Sequence, residues 1–405
     1  MYNDLVVNKA QGKCSLLILL DLSAAFDTVQ HSILMNDLRI LGLDGKVLSW
    51  FESYLSDREF KVHIEDSVSG SKVMRTGVPQ GSVLGPILFL IYTIELHYIL
   101  QNLGVSFHCY ADDTQIYLKF SNIEEAEATV NDVYICIKTW MNSRRLMLNT
   151  GKTECILIPS NTRYRIHEDI TSVTIGGECI EMKSVVRNLG VLIDSSLSLV
   201  NQINNVKKKT IGNLVNISRI SSFLDRNTRM KLVHGLIFSV IDFCNPIYYG
   251  LPNHMLRSLQ TLINAAARMV VGIPRFSRDR ITPICIDLHI LPIKARIKYK
   301  ICLLTYKALK YGQPSYLAEC LEYRPVTTIN VRSNNDNEKL LEPIVSHQLF
   351  SNRCFMFCAP RLYNSLPLHL RNAENVNTFK RNLKTFIFSE TYDLQNGIVK
   401  DEFTT

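Results

Sequence analysis

No Cys-x-x-Cys occurs in this chain of 405 residues, although it holds eleven cysteines. The closest pair, Cys354 and Cys358, has no further Cys or His at zinc spacing. Neither a zinc ribbon nor a disulfide scaffold is indicated, and a reducing, intracellular compartment is expected. The first residues, Met1-Tyr2-Asn3-Asp4, lack a basic segment and a long apolar run, so no signal peptide is visible. The most apolar stretch, Val83 to Tyr92, is far shorter than a bilayer span and is interrupted by Gly85-Pro86, so no membrane partner is expected. Glutamate is absent from residues 201–310.

The rest of the composition is that of a globular protein: 46% hydrophobic, 20% charged and 9% aromatic, with 18 Gly and 13 Pro. Those values exclude wholesale disorder and low-complexity polymers. At roughly 100–200 residues per domain, the length allows two to three domains. The net charge of +8 is unevenly spread. Residues 1–200 carry 17 basic and 23 acidic side chains, residues 201–310 carry 18 and 4, and residues 311–405 carry 10 and 10, giving nets of −6, +14 and 0. A long field of one sign favours a polyanionic partner such as nucleic acid, through phosphate neutralisation and counterion release. A merely solvated basic helical surface is the alternative.

Residues 14–160 alternate strand and helix signals. Leu16 to Leu20 is a short continuous apolar run, as in a strand buried on both faces, and it ends at Asp21. Val29 to Leu41 has apolar residues at helical spacing and stops at Gly42. Phe51 to Leu55 continues a second helix, Phe60 to Ile64 alternates as a strand does, and Pro86 opens an apolar helix to about Leu100. Val105 to Tyr110 and Gln115 to Phe120 read as two strands of a hairpin around Ala111-Asp112-Asp113-Thr114. An amphipathic helix is expected over Glu124 to Asn142, a strand region over Leu146 to Ile158, and two or three short β-elements over 172–194. From about 197 to 312 the pattern is helical. The polar stretch Asn330 to Lys339 is the best linker candidate. Cys244 and Cys302 lie in apolar helical surroundings and are expected to be buried thiols. Trp140, Tyr248 and Tyr249 are read as core aromatics.

The carboxylates carry the chemistry. Asp21 ends a buried strand, and Asp112 and Asp113 sit at a hairpin tip 91 and 92 residues later. Magnesium takes hard oxygen ligands, commonly one or two protein carboxylates plus substrate phosphates. Two such ions about 3.5–4 Å apart activate an attacking hydroxyl and stabilise a leaving oxygen. An Asp-Asp pair alone is most often a turn. Tyr-x-Asp-Asp arises by chance in a chain of this length only on the order of a few per cent of the time. Between these carboxylates lies Gly77-Val78-Pro79-Gln80-Gly81-Ser82-Val83-Leu84-Gly85-Pro86, whose glycines and prolines make a fixed loop that backbone or a base can approach closely.

Leu20-Asp21-Leu22-Ser23-Ala24-Ala25-Phe26-Asp27-Thr28-Val29 resembles palm motif A of reverse transcriptases from non-LTR (LINE-type) retrotransposons, in the jockey-like and chicken-repeat-like branches. Gly77 to Pro86 resembles motif B, Tyr110-Ala111-Asp112-Asp113 motif C, Leu148-Asn149-Thr150-Gly151-Lys152-Thr153 motif D, and Leu189-Gly190-Val191 the primer-grip hairpin. Further on, Asp242-Phe243-Cys244-Asn245-Pro246, Asn264-Ala265-Ala266-Ala267-Arg268, Leu288-His289-Ile290-Leu291-Pro292-Ile293 and Ala359-Pro360-Arg361-Leu362-Tyr363-Asn364 resemble the C-terminal part of the same reading frames, without an assignable chemistry.

The resemblance implies that Asp21, Asp112 and Asp113 are catalytic and hold Mg²⁺, with Mn²⁺ the alternative ion. It implies that Phe26 walls off a ribose 2′-hydroxyl, that Gln80 contacts the incoming nucleotide or a template base, that Gly81 belongs to the same substrate-binding set, and that Lys152 stands near the phosphates as a cation or proton donor. A core Phe, a turn Gln and a surface Lys are the respective alternatives. Lys207, Lys208 and Lys209 would hold nucleic-acid phosphates.

The expected fold class is α+β: a polymerase palm with a small antiparallel sheet and helices on one face, then a helical thumb, then a mixed C-terminal extension. The expected divisions are a palm over 1–160, a primer-grip-like β region over 161–196, a basic thumb-like region over 197–312 and an extension over 313–405. Only 20 residues precede Asp21, so an N-terminally truncated frame with most of the fingers missing is expected. The implied function is RNA-directed DNA polymerisation, with an RNA template, a DNA primer and dNTPs as partners and a nuclear location. The alternative is an inactive nucleic-acid-binding remnant of a transposon.

Overall fold

The computed structural model describes residues 1–160, 171–274, 277–324, 339–343 and 352–392. The chain forms two compact units. The first holds Met1 and Gln11–Leu189, and the second holds Tyr2–Ala10 and Gly190–Thr405.

The first unit is built on a four-stranded antiparallel sheet. Its strands run in the order Glu154–Ile158, Cys14–Leu20, Asp113–Phe120, Ser106–Tyr110. Cys14–Leu20 occupies an inner position, and every residue except Leu19 is buried. That explains its unbroken apolar sequence: a strand covered on both faces has no solvent side to make polar. Helix Ile123–Ser143 packs on the sheet, with Val130, Val133 and Ile137 bordering the same small apolar cavity as Ile18 and Ile116. The Asn122 side chain accepts from the Glu124 N–H at its start. Helix Gly85–Asn102 carries Pro86 in its first turn and buries Leu88, Phe89, Tyr92, Leu96 and Leu100. Arg144 reaches Asp37 at 2.5 Å and Glu95 at 2.6 Å, and so ties together helices His31–Ile40, Gly85–Asn102 and Ile123–Ser143.

The α+β class holds. Phe60 to Ile64 differs from expectation. The segment is split between two two-residue strands, Glu59–Phe60 and His63–Ile64, in separate exposed ribbons. Its alternation reports a ribbon wet on both faces, not a half-buried strand. Residues 172–194 hold four strands rather than two or three: Ser172–Ile175, Glu178–Glu181, Val185–Asn188 and Val191–Asp194.

The second unit is helical apart from Val191–Asp194 and an isolated bridge between Tyr323 and Leu340 among the described residues. Its long helices are Val200–Ile220, Asn253–Val271, Ile293–Tyr311 and Val376–Tyr392. The C-terminal sequence motifs prove to be its fastenings. Asp242 takes a two-pronged bond from Arg296, Nε and Nη2 each at 2.9 Å. Asn364 pairs with both backbone groups of Leu340, at 2.8 and 2.9 Å. The Tyr392 hydroxyl donates to the Ile290 carbonyl at 2.6 Å.

Cys302 is buried as expected, but Cys244 is exposed. It follows the last turn of a helix and adopts a left-handed φ of 53°, which turns it away from the apolar face that its neighbours suggest. Tyr248 and Trp140 are buried, and the Tyr248 hydroxyl accepts from Gln202 Nε2. The linker candidate lies outside the described residues except for Lys339. Among the described residues, no helix is long and apolar enough to cross a membrane.

Candidate active site

The sheet register sets the site. Leu20 pairs with Thr114, so Asp21, directly after its strand, and Asp113, the first residue of the neighbouring strand, each stand one residue beyond that pair. Tyr110 pairs with Asp113 across a two-residue turn of Ala111 and Asp112, and Ala111 takes a left-handed φ of 53°. Three carboxylates therefore meet at one end of the sheet. The Asp113 carboxyl is pushed above its ordinary value of 3.8, first by partial burial, then by the charges of Asp112 and of Asp21. Oδ2 of Asp21 is buried and meets no hydrogen-bond donor at bonding geometry; its nearest cation is the Lys152 ammonium, 3.5 Å away.

Carboxylates that repel one another in this way favour additional positive charge beside them. Among the described residues, no three His, Cys, Asp or Glu side chains close up into a ligand set. The donor set nevertheless fits hard divalent ions, which take few protein carboxylates and complete their shell with water and substrate phosphate.

Lys152 supplies a nearby cation, with Nζ 3.5 Å from Asp21 Oδ2. Backbone pairing places it there. Leu22–Ser23 pairs antiparallel with Met147–Leu148, the Asn149 N–H donates to the Asp21 carbonyl at 2.9 Å, and a 3₁₀ turn over Thr150–Lys152 follows.

The glycine-proline loop docks on the segment after Asp21. The Gly77 N–H donates to the Val29 carbonyl at 2.7 Å, and the Val78 N–H donates to the Phe26 carbonyl at 2.9 Å. Gly77 has a φ of +90°, and a β-carbon there would lie 2.9 Å from the Asp27 carbonyl oxygen, so glycine is required on both counts. Phe26 stacks on Phe89 with ring centroids 4.5 Å apart and remains half-buried. Gln80 Nε2 donates to Asp27 Oδ1 at 3.2 Å. Gly81 has a φ of +76° and open space around its α-carbon.

Asp21, Asp112, Asp113 and Lys152 thus gather at one place, while Phe26, Gln80 and Gly81 belong to the adjoining loop-and-turn assembly. Sequence reasoning does not single out Asp27. Its one signal is its place in the first motif, shortly before helix His31–Ile40. Lys207, Lys208 and Lys209 lie on helix Val200–Ile220 of the second unit. Lys208 and Lys209 are exposed, opposite the buried row Ile203, Val206, Thr210, Leu214 and Ile217.

An antiparallel sheet with helices packed on it and carboxylates at its edge is the architecture of a polymerase palm. Residues 3–193 match the family described as reverse transcriptase (RNA-dependent DNA polymerase). The chain is 25% identical over 288 residues to a probable RNA-directed DNA polymerase from transposon BS of Drosophila melanogaster, covering 67% of this chain and 30% of that protein. It is 24% identical over 269 residues to the RNA-directed DNA polymerase from mobile element jockey of Drosophila funebris, covering 64% of this chain and 29% of that one. The segment 3–193 belongs to the reverse transcriptase family, in its LINE-type, jockey-like branch. The chain spans about 30% of the length of these curated relatives. Among solved structures, a telomerase from Candida albicans aligns with 15% identity and a TM-score of 0.37, over 78% of this chain and 50% of that one.

Proposed function

We propose that this protein is an RNA-directed DNA polymerase that extends a DNA primer with dNTPs on an RNA template. The observation that carries the reading is the placement of Asp21, directly after one strand, beside Asp113 at the start of the next, with Asp112 at the hairpin tip, a site whose own charges repel. Reverse transcriptases as a family use divalent metal ions. For this chain Mg²⁺ is the proposed ion and Mn²⁺ the alternative, with Asp21, Asp112 and Asp113 the residues to hold it.

When bound, such ions would acidify the primer 3′-hydroxyl and neutralise charge on the triphosphate. The carboxylates orient and balance that positive charge. Lys152, close to Asp21 and largely exposed, is placed to meet phosphate oxygens or to supply a proton to departing pyrophosphate. Phe26, held against Phe89, offers a flat wall for the sugar, and Gln80 and Gly81 border the same assembly. The basic helix Val200–Ile220 is proposed to hold nucleic-acid phosphates. A nuclear location follows from the family resemblance and is part of the proposal.

Primer extension on poly(rA)/oligo(dT) with Mg²⁺ tests it. Incorporation by the wild-type chain, abolished in Asp112→Asn, is the expected result. Equal incorporation by both proteins removes Asp112 from the chemistry. Salt-dependent nucleic-acid binding without incorporation under either metal replaces the polymerase reading with that of a binding remnant.

A further inference from the structure

We propose that Asp27 is a positioning residue for nucleotide selection: its carboxylate fixes the Gln80 carboxamide so that Gln80 presents a hydrogen-bond acceptor to the incoming nucleotide. The proposal rests on the polymerase reading for its substrate, and on the geometry alone for the orientation.

The orientation follows from chemistry. A carboxylate only accepts, so the edge of the Gln80 amide that faces Asp27 Oδ1 at 3.2 Å must be the NH₂ group. The Gln80 Oε1 atom is then turned to the other side, where it can meet a donor. Without Asp27, the amide can flip, and the outward atom is an acceptor only part of the time. A charge-assisted bond of this kind is stronger than a neutral one.

Asp27 is well founded for the task. Its N–H donates to the Ala24 carbonyl at 2.9 Å, and its own carbonyl accepts from Thr76 Oγ1 at 3.0 Å. The Gly77 α-carbon is pressed against its backbone. His31 Nε2 meets the Gly77 carbonyl at 2.8 Å from the neighbouring helix. The bonds that seat Thr76, Gly77 and Val78 on residues 26–29 use the backbone of that segment, so removing the Asp27 carboxylate leaves the loop in place and frees only Gln80.

The test is steady-state primer extension by the full chain with dTTP varied, together with side-chain amide exchange of Gln80 followed by NMR. Asp27→Ala is expected to raise the KM for dTTP roughly tenfold, with kcat and Tm close to wild type. Asp27→Asn keeps an Oδ1 acceptor and restores most of the affinity. Gln80→Ala matches Asp27→Ala, and the double variant is no worse than either single one. The Gln80 NH₂ protons lose exchange protection in Asp27→Ala and regain it in Asp27→Asn.

A wild-type KM in Asp27→Ala, or additive effects in the double variant, overturns the proposal. If the wild-type chain incorporates nothing, the polymerase reading fails and selection fails with it. The exchange data then decide the orientation separately: unchanged protection in Asp27→Ala overturns that as well.

Discussion

Lys152 Nζ lies 3.5 Å from Asp21 Oδ2, although the two are 131 positions apart and neither belongs to a regular strand. The short pairing of Leu22 with Leu148, and the bond from the Asn149 N–H to the Asp21 carbonyl, bring them together. Lys152 is 69% exposed, so the pair contributes little to folding, about 0.5 kcal/mol at most. Lys152→Ala is therefore expected to melt at the wild-type temperature while losing at least about tenfold in single-turnover incorporation. A variant that loses Tm and keeps its rate would make this lysine a structural one.

The raised Asp113 carboxyl makes a second prediction, whose sign is fixed by linkage. The folded state holds this proton more tightly than the unfolded chain does. The associated stability is full below the ordinary value of 3.8 and declines as pH rises through the raised folded value. At neutral pH the ionised Asp113 carboxylate thus works against folding. Asp113→Asn is expected to raise Tm modestly at pH 7 and to leave it unchanged near pH 3. Mg²⁺ is expected to raise the wild-type Tm at pH 7, less so as pH falls toward the carboxylate range, and to do little for Asp113→Asn. Thermal melts across pH with and without Mg²⁺ measure both.

Two glycines of one loop are expected to behave differently. Gly77→Ala adds a β-carbon 2.9 Å from the Asp27 carbonyl oxygen at a φ of +90°, and it should cost about 2 kcal/mol or more. Gly81→Ala meets open space at a φ of +76° and should cost only about 1 kcal/mol, the strain of the left-handed backbone. Urea unfolding of the two variants gives the comparison directly, and equal costs would show that the close approach to Asp27 is unimportant.

The parts of this protein that are legible in its sequence are those where one physical demand dominates. The inner strand Cys14–Leu20 can be read because burial on both faces leaves a continuous apolar run, and the hairpin at Asp112 because a tight turn interrupts two strand-like runs. Asp21 stands out as an acidic residue directly after a buried strand. Arg144 does not stand out. Its bonds to Asp37 and Glu95 join residues 107 and 49 positions apart, and no local pattern encodes such a pairing. Asp27 escapes notice for the same reason, since its partner Gln80 is 53 positions away. Cys244 is misread because apolar neighbours do not reveal a single left-handed residue.

The Asp242-Phe243-Cys244-Asn245-Pro246 motif has no evident chemistry, and its bonds give it a structural role. Arg296 is 12% exposed and Asp242 is 27% exposed in a two-pronged pair. Asp242→Ala leaves a largely buried guanidinium without its carboxylate and should destabilise the second unit by about 3 kcal/mol. Replacing the pair together should cost less than the single change. A double-mutant cycle in urea checks this.

The basic helix Val200–Ile220 makes the last prediction, one that separates electrostatic holding from aromatic stacking. Lys208 and Lys209 are exposed, so each can displace a counterion from a phosphate. Changing Lys207, Lys208 and Lys209 together to Gln should weaken binding of any sequence alike. It should also flatten the dependence of affinity on salt by up to about 0.9 for each duplex phosphate no longer neutralised, or about 0.7 on a single strand. Phe223 projects from the 3₁₀ turn Ser221–Phe223 that follows this helix and is 87% exposed. An aromatic ring held in water beside cationic helices suits base stacking, which requires unpaired bases. Phe223→Ala should then weaken single-strand binding by about 1–3 kcal/mol, leave duplex binding nearly intact and leave the salt slope unchanged. Fluorescence anisotropy of single-stranded and duplex oligonucleotides across a salt series reads both effects. A Phe223→Ala variant that binds both forms as the wild type does would restrict this surface to holding phosphates.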